Sequence, residues 1–204
     1  MIIAVDGPAA AGKGTIARAL AREFGFHFLD TGSLYRMVAL SVLKEGASPS
    51  DSAAAVRAAK TLDPQAFRDE ELRGEAVGGA ASVVAVIPEV RAALLDLQRA
   101  FARQKPGAVL DGRDIGTVVC PDAEVKLFIT ASPEVRAARR HRELGGVESY
   151  AAVLADIRAR DERDSKRATA PLVPASDAVV IDTSEMDIAQ AVAACVAIIA
   201  RKRR

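Results

Sequence analysis

The chain has no asparagine and no tryptophan, two cysteines, two histidines, and only 4% aromatic residues among 204. Each scarcity excludes something. Without asparagine there is no N-K-x-D segment, the base reader a GTPase switch requires. So few aromatics argue against a base-stacking platform for single strands. Cys120 and Cys195 lie far apart, in no metal or redox spacing. They read as small buried hydrophobes in a reducing compartment. His27 and His141 have no metal-ligand company; the first reads as a satisfied strand residue, the second as an exposed one. A dominant charge is missing too. Lys plus Arg number 28 and Asp plus Glu 27, a net +1, so there is no general pull toward nucleic acid or anionic lipid. The C-terminal apolar run, Ala191 to Ala200, is half of the ~20 residues a bilayer demands. A packed helix ending in a basic, solvated tail at its negative pole is the better reading. The opening "MIIAV" is too short for a leader and lacks a basic start. These features predict a cytoplasmic monomer without nucleic-acid or membrane partners.

Half of the residues are hydrophobic, enough in this length for one α/β domain and a small mobile insert. Arginine outnumbers lysine 21 to 7, and planar bidentate donors suit phosphate and carboxylate. On composition alone, a coding bias toward Arg and Ala is the simpler account. Five short apolar runs read as strands: 2–5, 26–29, 108–111, 125–130 and 178–182. Their near-continuous apolar character predicts a parallel sheet covered on both faces. Helical patterns lie between them, at 16–24, 33–43 and, through the middle of the chain, 51–104. Val90, Leu94, Leu97 and Phe101 recur at helical spacing, with Pro88 suited to a first turn.

The most specific signal is "GPAAAGKGT", Gly7 to Thr15, between a strand and a helix. It fits the phosphate-binding loop pattern G-x-x-x-x-G-K in the setting that pattern requires. Glycines let backbone N–H groups turn around an anion, the helix N-terminus adds its positive pole, and Lys13 reaches the outer phosphates. One departure is informative. Gly14 follows the lysine and the hydroxyl comes at Thr15, so Mg²⁺ contact through waters, at Thr15 or Asp111, is expected.

Ligands of open α/β sheets bind beyond the carboxyl ends of the strands. "DTGSLYR" (30–36) and "DGRDIG" (111–116) fall there and carry Arg36 and Arg113. Asp111 could order metal-bound water and Asp114 could accept from an exocyclic amine; a helix cap or turn is the alternative for each. In "YAAVLADIRARDERDSKR" (150–167), Tyr150, Val153, Leu154 and Ile157 form an apolar stripe. At 100° per residue it runs into Arg160, Asp164 and Arg167, with Arg163 at its edge. Charges turned inward need ionic partners: either each other or a nucleotide. Upstream, "SPEVRAARRHREL" (132–144) opens with Ser132 and Pro133 as a helix start and places Arg136, Arg139 and Arg140 on one face. "ELGG" supplies a hinge, so the two helices read as a lid that excludes water.

The motifs G-P-x-x-x-G-K-G-T, D-T-G-S-L-Y-R, D-G-R-D-I-G-T-V-V and R-D-x-R-D-S-K-R-A-x-A-P-L, in this order from Ile2 to about Leu172, resemble bacterial cytidylate kinases. Adenylate kinases carry D-G-F-P-R where this chain has Asp111 to Asp114. The resemblance implies a three-layer P-loop NTPase fold, α/β with a five-stranded parallel sheet flanked by helices. It implies a single domain over 1–204: a core of about 1–45, 105–131 and 170–204, an NMP-binding arm of about 46–104, and a lid of about 132–169. Gly7, Pro8, Ala9, Ala10, Ala11, Gly12, Lys13, Gly14 and Thr15 would hold ATP phosphates. Arg36 and Arg113, near Thr31, would bind the CMP phosphate. Ser82, Arg91, Asp114 and Arg167 would read cytosine, and Arg160 and Asp164 the pentose. Arg163 would lie near the transferred group. Ser82 and Arg91 rest on the resemblance alone; by pattern Arg91 is a surface arginine. The β insert of larger bacterial members has no counterpart in residues 61–80, which lack period-2 alternation.

The expected reaction is phosphoryl transfer from Mg·ATP to CMP or dCMP, in pyrimidine nucleotide metabolism. Lys13, Arg113 and Arg163 would be catalytic, across one cleft shared by two anion cradles. The alternatives are a kinase of AMP, UMP or shikimate, and an ATP-binding protein without chemistry.

Overall fold

The computed structural model describes residues 1–72 and 74–202. Arg73, within the expected helical middle, and Arg203 and Arg204, at the end of the basic tail, lie outside the described residues. The chain forms two compact units, Met1–Leu29 with Phe101–Arg204, and Asp30–Ala100.

The first unit is built on a five-stranded sheet. Its strands are β1 (Ile2–Asp6), β2 (His27–Asp30, whose last residue opens the second unit), β3 (Ala108–Gly112), β4 (Val125–Thr130) and β5 (Val179–Asp182). Their order is β2-β3-β1-β4-β5, and β1 pairs in parallel with β3 and β4, as β4 does with β5. The chain leaves β1 toward β2 on one side and leaves β4 toward β5 on the other. The crevice for a ligand therefore opens between the carboxyl ends of β1 and β4. Helix α1 (Lys13–Phe24) buries Ile16, Ala17, Leu20 and Ala21, and together with Cys195 and Ile199 of α8 (Ile188–Lys202) these pack around Ile3, Val5, Leu127 and Ile129.

The expected five strands are all present, but burial falls off from the inner strands to the edges. β3 is buried at every position, whereas Val179 and Val180 of β5 and His27 of β2 are exposed. Edge strands have a neighbour on one side only, so an apolar run is no measure of burial there. His27 is nonetheless partnered: its Nε2 lies 2.8 Å from the Lys105 carbonyl oxygen and its ring meets Phe101 edge-on. Both cysteines are buried, as their scarcity and spacing predict.

Also in this unit, α6 (Pro133–Glu143) packs on α7 (Tyr150–Ser165) through Ala137, Val153 and Ile157, with Leu144, Leu154 and Ala10 against them. Ser132 caps α6, accepting from the Val135 N–H at 3.3 Å, as read from the sequence. Tyr150, expected in the buried stripe, is exposed at the first turn of α7.

The second unit is helical. It contains α2 (Thr31–Lys44), α3 (Ser52–Lys60), α4 (Glu75–Val84) and most of α5 (Pro88–Ala102). Asp30 and Asp51 cap α2 and α3, accepting from the Ser33 and Ala54 N–H groups at 3.2 and 3.1 Å. Leu34, Val38, Val42, Ala55, Val84, Val90 and Leu94 form its centre. Among the described residues of 61–80, the backbone makes a short 3-10 turn at Pro64–Ala66 and the start of α4. No helix among the described residues is long and apolar enough to cross a membrane.

Candidate active site

The loop after β1 carries three residues with positive φ: Gly7 at 146°, Ala10 at 57° and Gly12 at 87°. At Gly7 a Cβ would also collide with the Ile129 carbonyl oxygen of β4. Only glycine fits there, because the loop must pass directly beneath the neighbouring strand. Lys13 begins α1 and is buried, 6% exposed. Its ammonium donates to the Pro8 carbonyl at 2.9 Å and stands 3.8 Å from the Asp111 carboxylate. The lysine is thus held at the mouth of its own loop, its charge balanced from the end of β3. Thr15 is exposed in the first turn of α1.

The carboxyl end of β1 is also a fastening point. Asp6 accepts from the Ile115 and Gly116 N–H groups, each at 2.8 Å. Burial pushes its carboxyl up to about 6, with those two N–H groups opposing the rise and nearby Asp114 adding to it. The fastened segment is a π-helical turn, Ile115–Val119, following Arg113 and Asp114. Such wide turns are rare and gather at functional positions. Asp114 is buried at its start.

Asp164, on α7, lies between two guanidinium groups. Arg113 Nε donates to one carboxylate oxygen at 2.8 Å, and Arg167 Nη2 donates to the other. Burial pushes the Asp164 carboxyl up, but the two arginines outweigh it and hold the group below its ordinary value. Helix α7 ends at Ser165, so Arg167 lies past its last turn and not on a continued helix. Asp164 and Arg167 therefore pair with each other, and Arg113 joins them from beyond the end of β3. Arg160, its side chain 16% exposed, stands 3.2 Å from Asp156 as an ion pair without an aligned hydrogen bond. Arg163, at the edge of this face, is half-buried.

In the second unit, Thr31 is buried at the head of α2, and Arg36 is 41% exposed with its guanidinium 3.7 Å from Asp30. Ser82 is half-buried on α4. Arg91 corrects the surface reading of its pattern. It is buried on α5, donates to the Ala85 carbonyl at 3.3 Å and lies 5.6 Å from the centre of the Tyr35 ring. A buried guanidinium over an aromatic face is held by cation–π attraction that helical periodicity does not register.

Two of the suspected lid arginines have other duties. Arg139 donates to Thr183 Oγ1 at 3.1 Å and to the Thr183 carbonyl at 2.7 Å, anchoring α6 to the turn after β5. Arg140 pairs with Glu143 on its own helix. Sequence reasoning passed over Asp6, although it is the single charge in a buried strand. Asp161 takes a bidentate bond from Arg136, an internal ion pair of the kind that charges turned inward require.

No group of three or more His, Cys, Asp or Glu among the described residues could hold a metal. The hard oxygen donors near the loop are Asp111 and Thr15. A Cβ on Gly14 would come within 3.2 Å of Asp111 Oδ2, so that carboxylate abuts the start of α1. This suits Mg²⁺, which keeps its waters and takes one or two protein oxygens beside phosphate.

Comparison with known proteins adds the lineage. A family model described as cytidylate kinase matches residues 3–201. A protein named cytidylate kinase from Xanthobacter autotrophicus is 62% identical over 206 residues, covering 100% of this chain and 99% of its own. Another of that name, from Azorhizobium caulinodans, is 60% identical and covers 100% of both. Among solved structures, an uncharacterized protein from Eubacterium ventriosum shares the fold, with a TM-score of 0.60 at 13% identity over 98% of each chain.

Proposed function

This chain belongs to the cytidylate kinase family, and we propose from that premise that it transfers the γ-phosphoryl group of ATP to CMP or dCMP, yielding ADP and CDP or dCDP. The observation that carries the reading is the loop of Gly7 to Thr15. It is a backbone cradle with three positive-φ residues, closed by a buried lysine, at the switch point of a parallel sheet.

In this reading the loop N–H groups and Lys13 hold the donor phosphates. Arg36, Arg113 and Thr31 take the acceptor phosphate, and Ser82, Arg91, Asp114 and Arg167 the cytosine. Arg160 and Asp164 contact the pentose. The acceptor is an ionised phosphate oxygen, so no strong general base is needed. Transition-state charge is neutralised by Lys13, Arg113 and Arg163, which is where catalysis by positioning has most to gain. Mg²⁺, when bound with ATP near Asp111 and Thr15, supplies further neutralisation of the phosphates. The division of labour is a core of about 1–45, 105–131 and 170–204, an acceptor arm of about 46–104 and a lid of about 132–169.

The Arg113, Asp164 and Arg167 cluster supports chemistry over mere ATP binding, since a binding protein has no use for a second group of arginines, one beyond β3 and one beyond α7. The test is ADP release with CMP, dCMP, UMP, AMP and shikimate as acceptors. CMP and dCMP are expected to lead. Preference for AMP would overturn the acceptor assignment, and ATP binding without acceptor-dependent ADP release would overturn the reaction.

A further inference from the structure

Arg136 is the most fully enclosed arginine near the phosphate loop, 3% exposed. It carries five N–H donors, and its bonds reach three separate segments. Nε donates to the Ala131 carbonyl at 2.9 Å, just past β4. Nη1 donates to the Ala9 carbonyl at 3.2 Å, within the phosphate loop, and to Asp161 Oδ1 at 3.0 Å. Nη2 donates to Asp161 Oδ2 at 2.6 Å, completing a bidentate pair with α7.

Each joint has a consequence. A peptide is planar and trans, so a carbonyl held on one side sends the next N–H to the other. Fixing the Ala9 carbonyl on Arg136 therefore aims the Ala10 N–H away from the guanidinium and stabilises the left-handed turn at Ala10, a conformation alanine does not favour. Ala10 itself packs among the α6 and α7 residues Ala137, Val153 and Ile157. At the other joint, Asp161 is adjacent to Arg160 and two residues before Arg163. The fork geometry allows little sliding, because both parallel bonds must form together.

We infer that Arg136 and Asp161 form a positioning strut that holds the phosphate loop and the arginines of α7 in one frame, so that Arg160 and Arg163 are placed relative to the bound triphosphate. This rests on the loop's being the ATP site. Neither residue touches substrate in this account; both act through the loop carbonyl and the helix.

The two joints are separable by substitution. Asp161→Asn removes the charge-assisted fork but leaves Arg136 on Ala9 and Ala131. The cradle stays intact while α7 loses its tie. Its dissociation constant for the non-hydrolysable analogue AMP-PNP should stay within about threefold of the parent. Its kcat should fall about tenfold or more, since slight misplacement of positioning groups is costly. Arg136→Lys cannot span both joints, so AMP-PNP binding should weaken along with kcat. The double variant should be no worse than Arg136→Lys alone, because the pair acts as a unit. If Arg136→Lys does not fold, amide exchange of residues 150–165 with and without AMP-PNP replaces it. Protection on binding should be strong in the parent and reduced in Asp161→Asn. Parent-like kcat in Asp161→Asn, equal loss of AMP-PNP affinity in both single variants, additive kcat losses, or undiminished protection of 150–165 overturns the strut. Failure of the parent to bind AMP-PNP overturns the strut and the ATP site together.

Discussion

The two units differ in what fills them. In the sheet-based unit, four of the fifteen described residues in the main apolar cluster are alanine; in the helical unit, seven of sixteen are. Alanine buries little apolar area, and burial contributes roughly 25 cal/mol per Å². The helical unit thus draws less stabilisation from each position, though its small residues let helices approach closely. Their charges differ likewise. Lys13, Asp111, Arg113, Asp164, Arg167 and Arg136 are paired within the sheet-based unit, whereas Arg36 of the helical unit is 41% exposed beside Asp30. The alanine-rich filling of the helical unit predicts that it opens more readily than the sheet-based unit, as segments that adapt to ligands commonly do.

Four measurements would break or sharpen this contrast. The largest effect belongs to Lys13→Ala, which should lower kcat about 10³-fold with the cooperative melt retained, since a preorganised cationic donor is lost. Near-normal turnover would sink the role of the loop. Next, Asp164→Asn leaves Arg113 and Arg167 beside a neutral amide and should cost about 3 kcal/mol in urea unfolding. A cost below 1 kcal/mol would show that the paired charges do not hold the sheet-based unit.

Third is a pH effect at Asp6. Its carboxyl is raised from 3.8 to about 6 in the folded chain, so the folded state holds the proton more tightly than the unfolded one. That contribution is whole below about pH 4 and is lost as pH climbs through about 6, on the order of 3 kcal/mol in all. Unfolding free energies of the parent and Asp6→Asn, taken from pH 4 to 7, should diverge across this window; parallel curves would refute the assignment. The smallest effect is Ala55→Gly, at a fully buried position of α3. It should cost about 1 kcal/mol from helix propensity and speed amide exchange in 52–60 while β1, β3 and β4 remain slow. Equal acceleration in the strands would erase the distinction between the units.

Much of this was legible in the chain. All five strands fall within a residue or two of their apolar runs, because β-branched and other apolar side chains suit a pleated surface that is covered on at least one face. The phosphate loop was legible because its backbone requires glycine at set places. The long-range partners were not. Arg91 has a surface residue's spacing, and nothing local shows that Tyr35 lies against it. Arg136, Arg139 and Arg140 share one helical face on paper, yet the first ties Ala9 to Asp161, the second grips Thr183 and the third pairs on its own helix. Periodicity assigns a face; it does not say what lies across from it.

By itself, then, the amino-acid order determined the α/β architecture, the anion-binding loop and the lineage, since these depend on local backbone preferences, apolar periodicity and motif spacing. Only the tertiary structure decided which charges neutralise which. A guanidinium reaches several ångströms from its backbone, and its partner is chosen by packing between segments as distant as Arg113 and Asp164.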